Sequence, residues 1–488
     1  MLPFNTLIKI NRKSPPAIYQ QVANAIINLI HEAVIRPGSP LPSSREMAVM
    51  LNVHRKTIVA AYEELLSQDW IVSVQRKGVT VSAYLPELKP RSFRSAPKIS
   101  PYENKVPASI NKKNTDAIPA NKKNIYRYVI NDGFPDARIA PLDALLRQYR
   151  YFLKRPLLDS MAMYSNNAGS LNLRNALSRF LSDTRGLNIE AGNVLITRGA
   201  QMAIYIAGKI LLKPGARVIV GEPNYAMANE IFEQFGAKLI KVPVDEHGIN
   251  VDEIEKICKK SRPDMLYIIP HHHHPTTVTL SAARRMKLLS LIREYKLPVI
   301  EDDYDYDFHY ARSPILPLAS ADHEGHVIYI GSITKTIATS LRLGYMVSSA
   351  DFVTQAAKTR RMIDIRGDVL MEEAFAILFN NGEMQKHLKK SIKIYKQRRD
   401  LFCSLMENQL AKKLTFTKPS GGMSVWVQFA KKYDLKEIAS KAAAMGLFMA
   451  DERAYNTSNI NYNAIRMGFA SLNEKEIRAV IAILEKIL

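Results

Sequence analysis

Val327-Ile328-Tyr329-Ile330-Gly331-Ser332-Ile333-Thr334-Lys335-Thr336-Ile337-Ala338-Thr339-Ser340-Leu341-Arg342-Leu343-Gly344-Tyr345 decides the fold of most of this 488-residue chain. Its first four residues are apolar and β-prone, enough for a buried strand and too few for a helix. A glycine and a serine close the run, and Lys335 stands just beyond. Upstream the same pattern recurs. Val194–Thr197, Val218–Val220, Leu266–Ile269 and Val299–Ile300 are short apolar runs separated by stretches of helical period. Strand–helix alternation predicts an α/β unit with a mostly parallel sheet covered on both faces. From about Asp351 the patterns turn mainly helical, predicting a smaller C-terminal α+β subdomain.

Open α/β sheets bind ligands at the C-terminal ends of their strands, so those ends are where chemistry is sought. Lys335 follows one such end, near Arg342. Partial burial and a neighbouring cation lower a lysine pKa, and the neutral amine is the nucleophile. Ser332 and Arg342 are placed to hold a phosphate. After Val299–Ile300 comes the acidic turn Glu301-Asp302-Asp303-Tyr304. Asp302 would pair with a protonated ring nitrogen, and Tyr304 would donate to a phenolate oxygen. Arg198-Gly199-Ala200-Gln201 opens a helix, so Gly199 and Ala200 offer backbone amides to an anion. Tyr225, after the next strand, could stack on a ring. An amine, a buried acid, anion-binding amides and an aromatic face are what pyridoxal 5'-phosphate requires. Taken singly, each has an ordinary reading: an acidic triplet is commonly solvated, and a lysine after a strand commonly lies on the surface. Their order along the chain carries the argument.

Residues 1–84 form a different kind of unit. Ile18, Val22, Ile26 and Leu29 recur at helical spacing, predicting a first helix to about Val34. Ser43 stands three residues before Glu46, a capping-box pair that starts a second helix. After the short turn Asn52-Val53-His54, a third helix faces Ile58, Ala61, Tyr62, Leu65 and Leu66 inward. Trp70–Val74 and Val79–Val81 make a hairpin with the basic tip Gln75-Arg76-Lys77-Gly78. Three helices and a hairpin predict a winged helix-turn-helix. His54, Arg55, Lys56 and Thr57 would meet base edges or phosphates from the start of the third helix, Arg45 a phosphate, and Arg76 and Lys77 the minor groove.

The run Pro37-Gly38-Ser39-Pro40-Leu41-Pro42-Ser43-Ser44-Arg45-Glu46, with Ile18-Tyr19-Gln20-Gln21 and Thr57-Ile58-Val59-Ala60-Ala61-Tyr62, resembles the GntR-family DNA-binding domain. The tip departs from that family, which is usually glycine-rich there. The order of elements after residue 125 resembles fold-type I aminotransferases. The spellings at 301–308 and 331–345 are similar to the MocR, or GabR-like, subfamily of GntR regulators, in which a linker joins the two. The resemblance implies that Lys335 is the Schiff-base lysine, Asp302 the partner of the ring nitrogen and Tyr304 that of the phenolate oxygen. It makes Arg466 a clamp for an effector or substrate carboxylate. It has Tyr164 reach the phosphate of a neighbouring subunit, hence a homodimer. Met227 stands near where some relatives carry an effector-binding arginine, which suggests a different effector.

His271–His274 could mark a metal site, but adjacent loop residues cannot all converge on one ion, and no carboxylate or cysteine cluster accompanies them in sequence. No metal is expected. The family pattern here is Ser-His-Gln-aromatic-Pro, so His273 and His274 are substitutions, and His274 is a candidate contact to the cofactor ring.

Composition fits this reading. Lys and Arg number 68 against 46 Asp and Glu, a net charge of +22, which points to an anionic partner such as nucleic acid. Residues 85–124 read as a flexible basic linker rich in Pro, Ser, Asn and Lys. Two distant cysteines exclude a disulfide scaffold and fit a reducing cytosol. No signal-like stretch opens MLPFNTLIKINRKSPP, and no apolar run is long enough to span a membrane, so a cytoplasmic location is expected. The expected protein is a pyridoxal-phosphate-dependent regulator. It would bind double-stranded operator DNA and sense an amino compound, or the cofactor itself, through an aldimine on Lys335. Two alternatives stay open: a working aminotransferase with an added DNA-binding domain, and a DNA-binding scaffold whose large domain only dimerises.

Overall fold

The computed structural model describes residues 2–74, 78–86, 126–154, 166–310, 315–451, 455–456 and 460–488. The chain divides into two compact units, residues 1–120 and 121–488. The linker read at 85–124 lies almost wholly outside the described residues, as do Arg76, Lys77 and Tyr164.

In the first unit, helices α1 (Phe4–Leu7), α2 (Ile18–His31), α3 (Ser44–Leu51) and α4 (Arg55–Ser67) precede strands β1 (Ile71–Val74) and β2 (Gly78–Val81). Ser43 accepts from the Glu46 amide, and the Glu46 carboxylate accepts from the Ser43 amide, so the capping box starts α3. Asn52, left-handed at φ 51°, ends α3 and turns the chain into α4. α2 stops three residues short of the expected Val34, because Ala33 is also left-handed. Val22, Ile26, Met47, Ile58 and Leu65 are fully buried between the helices. Each such side chain contributes about 1.5–3 kcal/mol. β1 and β2 pair antiparallel as the wing.

The second unit opens with strand β3 (Tyr128–Val129) and is built on an eight-stranded sheet. Its strands are β4 (Val194–Thr197), β5 (Arg217–Glu222), β6 (Lys238–Asp245), β7 (Gly248–Ile249), β8 (Met265–Ile268), β9 (Val299–Asp303), β10 (Val327–Ser332) and β11 (Gly344–Val347), in the order β4-β11-β10-β9-β8-β5-β6-β7. β10, β9, β8, β5 and β6 run parallel, while β11 is antiparallel to both its neighbours. Sequence pattern placed Glu301–Asp303 in a turn after a two-residue strand. Instead they are the last three residues of β9, and all are buried. Carboxylates have low strand propensity, so the run reads as a turn. It holds as strand because buried donors meet each side chain.

The smaller subdomain holds an antiparallel sheet of Leu414–Phe416, Ser424–Phe429 and Ala464–Gly468, packed on the helices Glu383–Leu410 and Glu474–Ile487. One of its strands, Leu447–Phe448, pairs with Tyr128–Val129 from the start of the unit. The chain therefore passes first through the small subdomain. The next residues, Asn131–Phe134, then run to the site.

Candidate functional site

Three strand ends meet at the start of one helix. Gly344, first in β11, pairs with Ser332 of β10 on one side and Thr197 of β4 on the other. A Cβ on Gly344 would stand 2.6 Å from the Gly199 carbonyl carbon, so only glycine allows this approach. Gly199, at φ 82°, turns the chain into the helix Ala200–Leu211 and leaves its first amides facing outward. Arg342, left-handed at φ 45°, lays its guanidinium beside Gly199 and donates to the Arg198 carbonyl at 3.2 Å. Ser332, Gly199, Ala200 and Arg342 thus come together: a hydroxyl, helix-start amides and a cation suited to a phosphate.

The strand alternation of β9 sorts its acids. Glu301 accepts from the Leu318 and Ala319 amides at 2.8 Å and serves the scaffold. Asp303 accepts from Tyr329 at 3.0 Å and stands 3.2 Å from His271. Asp302, on the other face, accepts from Tyr267 at 2.7 Å through one oxygen. Its second oxygen is buried with no partner. Burial pushes its carboxyl up to about 7. A buried carboxylate with a spare oxygen and no cation on it is the acceptor a protonated ring nitrogen requires.

Lys335 donates to the Gly133 carbonyl at 3.0 Å, with its nitrogen 4.5 Å from the centre of the Phe134 ring and 5.6 Å from that of Tyr304. Burial brings its pKa down to about 8, against the opposing pull of Asp132. The Tyr304 hydroxyl donates to the His272 carbonyl and accepts from Arg466, both at 2.8 Å. Donation to a ligand phenolate would require it to give up the carbonyl. Tyr225 caps the helix Ala226–Gln234 and meets the His274 ring edge to face, centroids 5.2 Å apart.

The four histidines splay to separate partners. His271 sits between Asp303 and Arg285, His272 meets Asp305 at 2.9 Å, His273 meets Thr276 at 3.0 Å, and His274 Nε2 lies 2.9 Å from Asp132. Among the described residues, no group of three or more His, Cys, Asp or Glu is arranged to hold a metal. Burial lowers the His274 pKa, against the opposing pull of Asp132. Its buried Nδ1 has no partner.

Sequence reasoning missed Asp132. It lies 3.1 Å from Arg466 Nε and accepts from Tyr455 at 3.2 Å. Burial alone would raise its pKa, but His274, Arg466 and Lys335 outweigh burial and hold it low. Tyr267 and the Gly133 carbonyl were missed too. Arg466, in the strand Ala464–Gly468, is buried, and its Nη1 has no partner.

In the first unit, Arg45, His54, Arg55 and Lys56 are exposed and Thr57 is half-buried. The His54 ring accepts from the Lys56 amide and caps α4, and Arg55 reaches Ser44. One face of α3 and α4 therefore offers cations next to a tight turn.

Fold and site define a class: a winged helix ahead of an aminotransferase-type α/β unit. Residues 18–81 match the bacterial regulatory proteins of the gntR family, and residues 152–484 match aminotransferase class I and II. The chain belongs to the aminotransferase class I and II family, which depends on pyridoxal phosphate, and carries a GntR-type DNA-binding domain in front; it is a GntR-type regulator fused to an aminotransferase-like domain. It is 28% identical over 456 residues to the uncharacterized HTH-type transcriptional regulator YdfD of Bacillus subtilis, covering 93% of each chain. It is 24% identical to the probable rhizopine catabolism regulatory protein MocR of Rhizobium meliloti, over 97% of this chain and 94% of that one. Among solved structures, an archaeal alanine:glyoxylate aminotransferase is 29% identical with a TM-score of 0.69, over 75% of this chain and 91% of that one. Among the described residues, no helix is long and apolar enough to cross a membrane.

Proposed function

We propose that this regulator binds pyridoxal 5'-phosphate on Lys335 and senses a primary amine there, acting as a cytoplasmic homodimer on operator DNA. The observation that carries the reading is the buried, unpartnered oxygen of Asp302 in the same site as a lysine brought down to about 8. When bound, the cofactor supplies an aldehyde that condenses reversibly with primary amines. Ser332, Gly199, Ala200 and Arg342 would hold its phosphate, Asp302 its ring nitrogen, and Tyr225 and His274 its ring. Tyr164 would reach the phosphate site of the second subunit. Residues 1–84 would be the reading head, 85–124 the tether and 125–488 the sensor.

One contact favours sensing. Lys335 holds the Gly133 carbonyl, and Gly133 belongs to the first described stretch after the tether. Engaging the lysine elsewhere gives up that bond, so ligation and release of this segment are linked. The shift in DNA binding is bounded by the effector's differential affinity for the two arrangements. The rival reading is an enzyme. It is favoured by likeness to aminotransferases of known structure, and steady turnover of an amino donor with a keto acceptor would establish it.

The test is a visible spectrum of purified protein titrated with pyridoxal phosphate, with operator binding followed in parallel. Wild type is expected to gain an absorbance band distinct from that of free pyridoxal phosphate and altered by amines, and Lys335→Ala to show only the band of the free cofactor. Equal bands in both proteins would overturn the proposal.

A further inference from the structure

Arg466 is the natural clamp for a ligand carboxylate in this site, yet a carboxylate of the chain is already beside it. Asp132 Oδ1 stands 3.1 Å from Arg466 Nε, and Tyr304 takes Nη2 at 2.8 Å. The other Asp132 oxygen is held by the His274 ring at 2.9 Å, and Tyr455 adds a second hydrogen bond at 3.2 Å. Two hydrogen bonds and the ion pair with Arg466, all from distant parts of the chain, therefore fix this side chain where it is. Asp132 nevertheless keeps 37% of its side chain exposed, while Arg466 is only 1% exposed. What an incoming ligand meets is the acid, with the arginine behind it.

We propose that Asp132 is the specificity-determining residue of this site, and that the effector is a primary amine without a carboxylate next to its amino group, favoured further when it carries a second cationic group. This rests on the reading of Lys335 as the cofactor lysine. The charge of Arg466 is balanced before any ligand arrives. An α-carboxylate brought to Arg466 would lie against the carboxylate of Asp132 in a partly dry site, where like charges repel strongly. An amine with an apolar tail meets no such opposition. A cationic tail gains the exposed face of Asp132. Discrimination of this kind works by a repulsive element as much as by an attractive one.

The test uses the full chain loaded with pyridoxal phosphate and two matched pairs of probes: 1,5-diaminopentane against L-lysine, and ethylamine against L-alanine. Equilibrium titrations are read from the visible spectrum. In wild type, each amine is expected to bind at least about ten-fold more tightly than its amino acid, with the diamine the tightest of the four. Asp132→Asn should shrink both ratios by about ten-fold, and Asp132→Glu should keep them. The wild-type ratios decide the matter even where a variant misfolds. Amino acids binding as tightly as their amines in wild type would overturn the assignment while leaving the cofactor site standing. A protein that takes up no pyridoxal phosphate would overturn both.

Discussion

Asp302 and Asp132 are two carboxylates that both act electrostatically on Lys335, and their surroundings push them opposite ways. Asp302, at the end of a central strand, is 3% exposed, has a neutral tyrosine on one oxygen and nothing on the other, and is driven up to about 7. Asp132, on the segment after Tyr128–Val129, has Arg466 and His274 in contact and is held low. Burial opposes the charged form in both. The difference is whether the protein supplies the counter-cation. Asp132 has one in contact and, as proposed, selects what comes near it. Asp302 has none in contact, and on the proposed reading its cation comes from a ligand.

Ways to break that comparison can be ranked. The largest effect should come from Asp302→Asn, which removes the partner of a buried cation. Cofactor affinity is expected to fall by about 100-fold or more, measured by equilibrium dialysis. The same substitution should raise the melting temperature of the cofactor-free chain. A carboxyl raised to about 7 is protonated more readily folded than unfolded, so its contribution to stability is lost as pH rises from about 4 through 7. The amide removes a penalty on the order of 4 kcal/mol at neutral pH. Weaker ligand binding with higher apo stability is a pairing that a merely structural Asp302 would not produce.

A smaller effect concerns Lys335. Its neutral form grows as pH rises through about 8, so the rate of cofactor uptake should climb with pH and level off above that value. Asp132 opposes the lowering, so Asp132→Asn should shift the midpoint downward by a fraction of a unit, seen in stopped-flow uptake across pH 6–10. The smallest effect on the site is expected from the reading head. Arg55→Ala and Lys56→Ala should each reduce the salt slope of operator binding by about one and leave the visible spectrum unchanged.

The legible parts of the molecule were the local ones. The capping box at Ser43–Glu46, the turn at Asn52 and the strand starts at Val194 and Val327 depend on residues within a few positions of one another, and the structure has them there. Lys335, Asp302, Ser332, Arg342 and Gly199 were singled out because strand ends advertise themselves, and the structure places them at or beside strand ends. Two things were not legible. The triplet Glu301–Asp303 has the composition of a turn, and only donors from elsewhere in the chain, Leu318, Tyr267 and Tyr329 among them, make it a strand. Asp132 meets His274 across 142 residues of chain, and the strand before it is two residues long, too short to show a period. The available signal was a charged residue between the apolar Val129-Ile130 and the Gly133-Phe134-Pro135 turn, in a stretch otherwise reading as buried.

The account rests on Lys335 as the point of attachment. Borohydride treatment of protein loaded with pyridoxal phosphate, followed by peptide mapping, reads that point directly. The account predicts one pyridoxyl group, on the peptide containing Lys335. An unmodified Lys335 peptide, or the label on a different lysine, would contradict it.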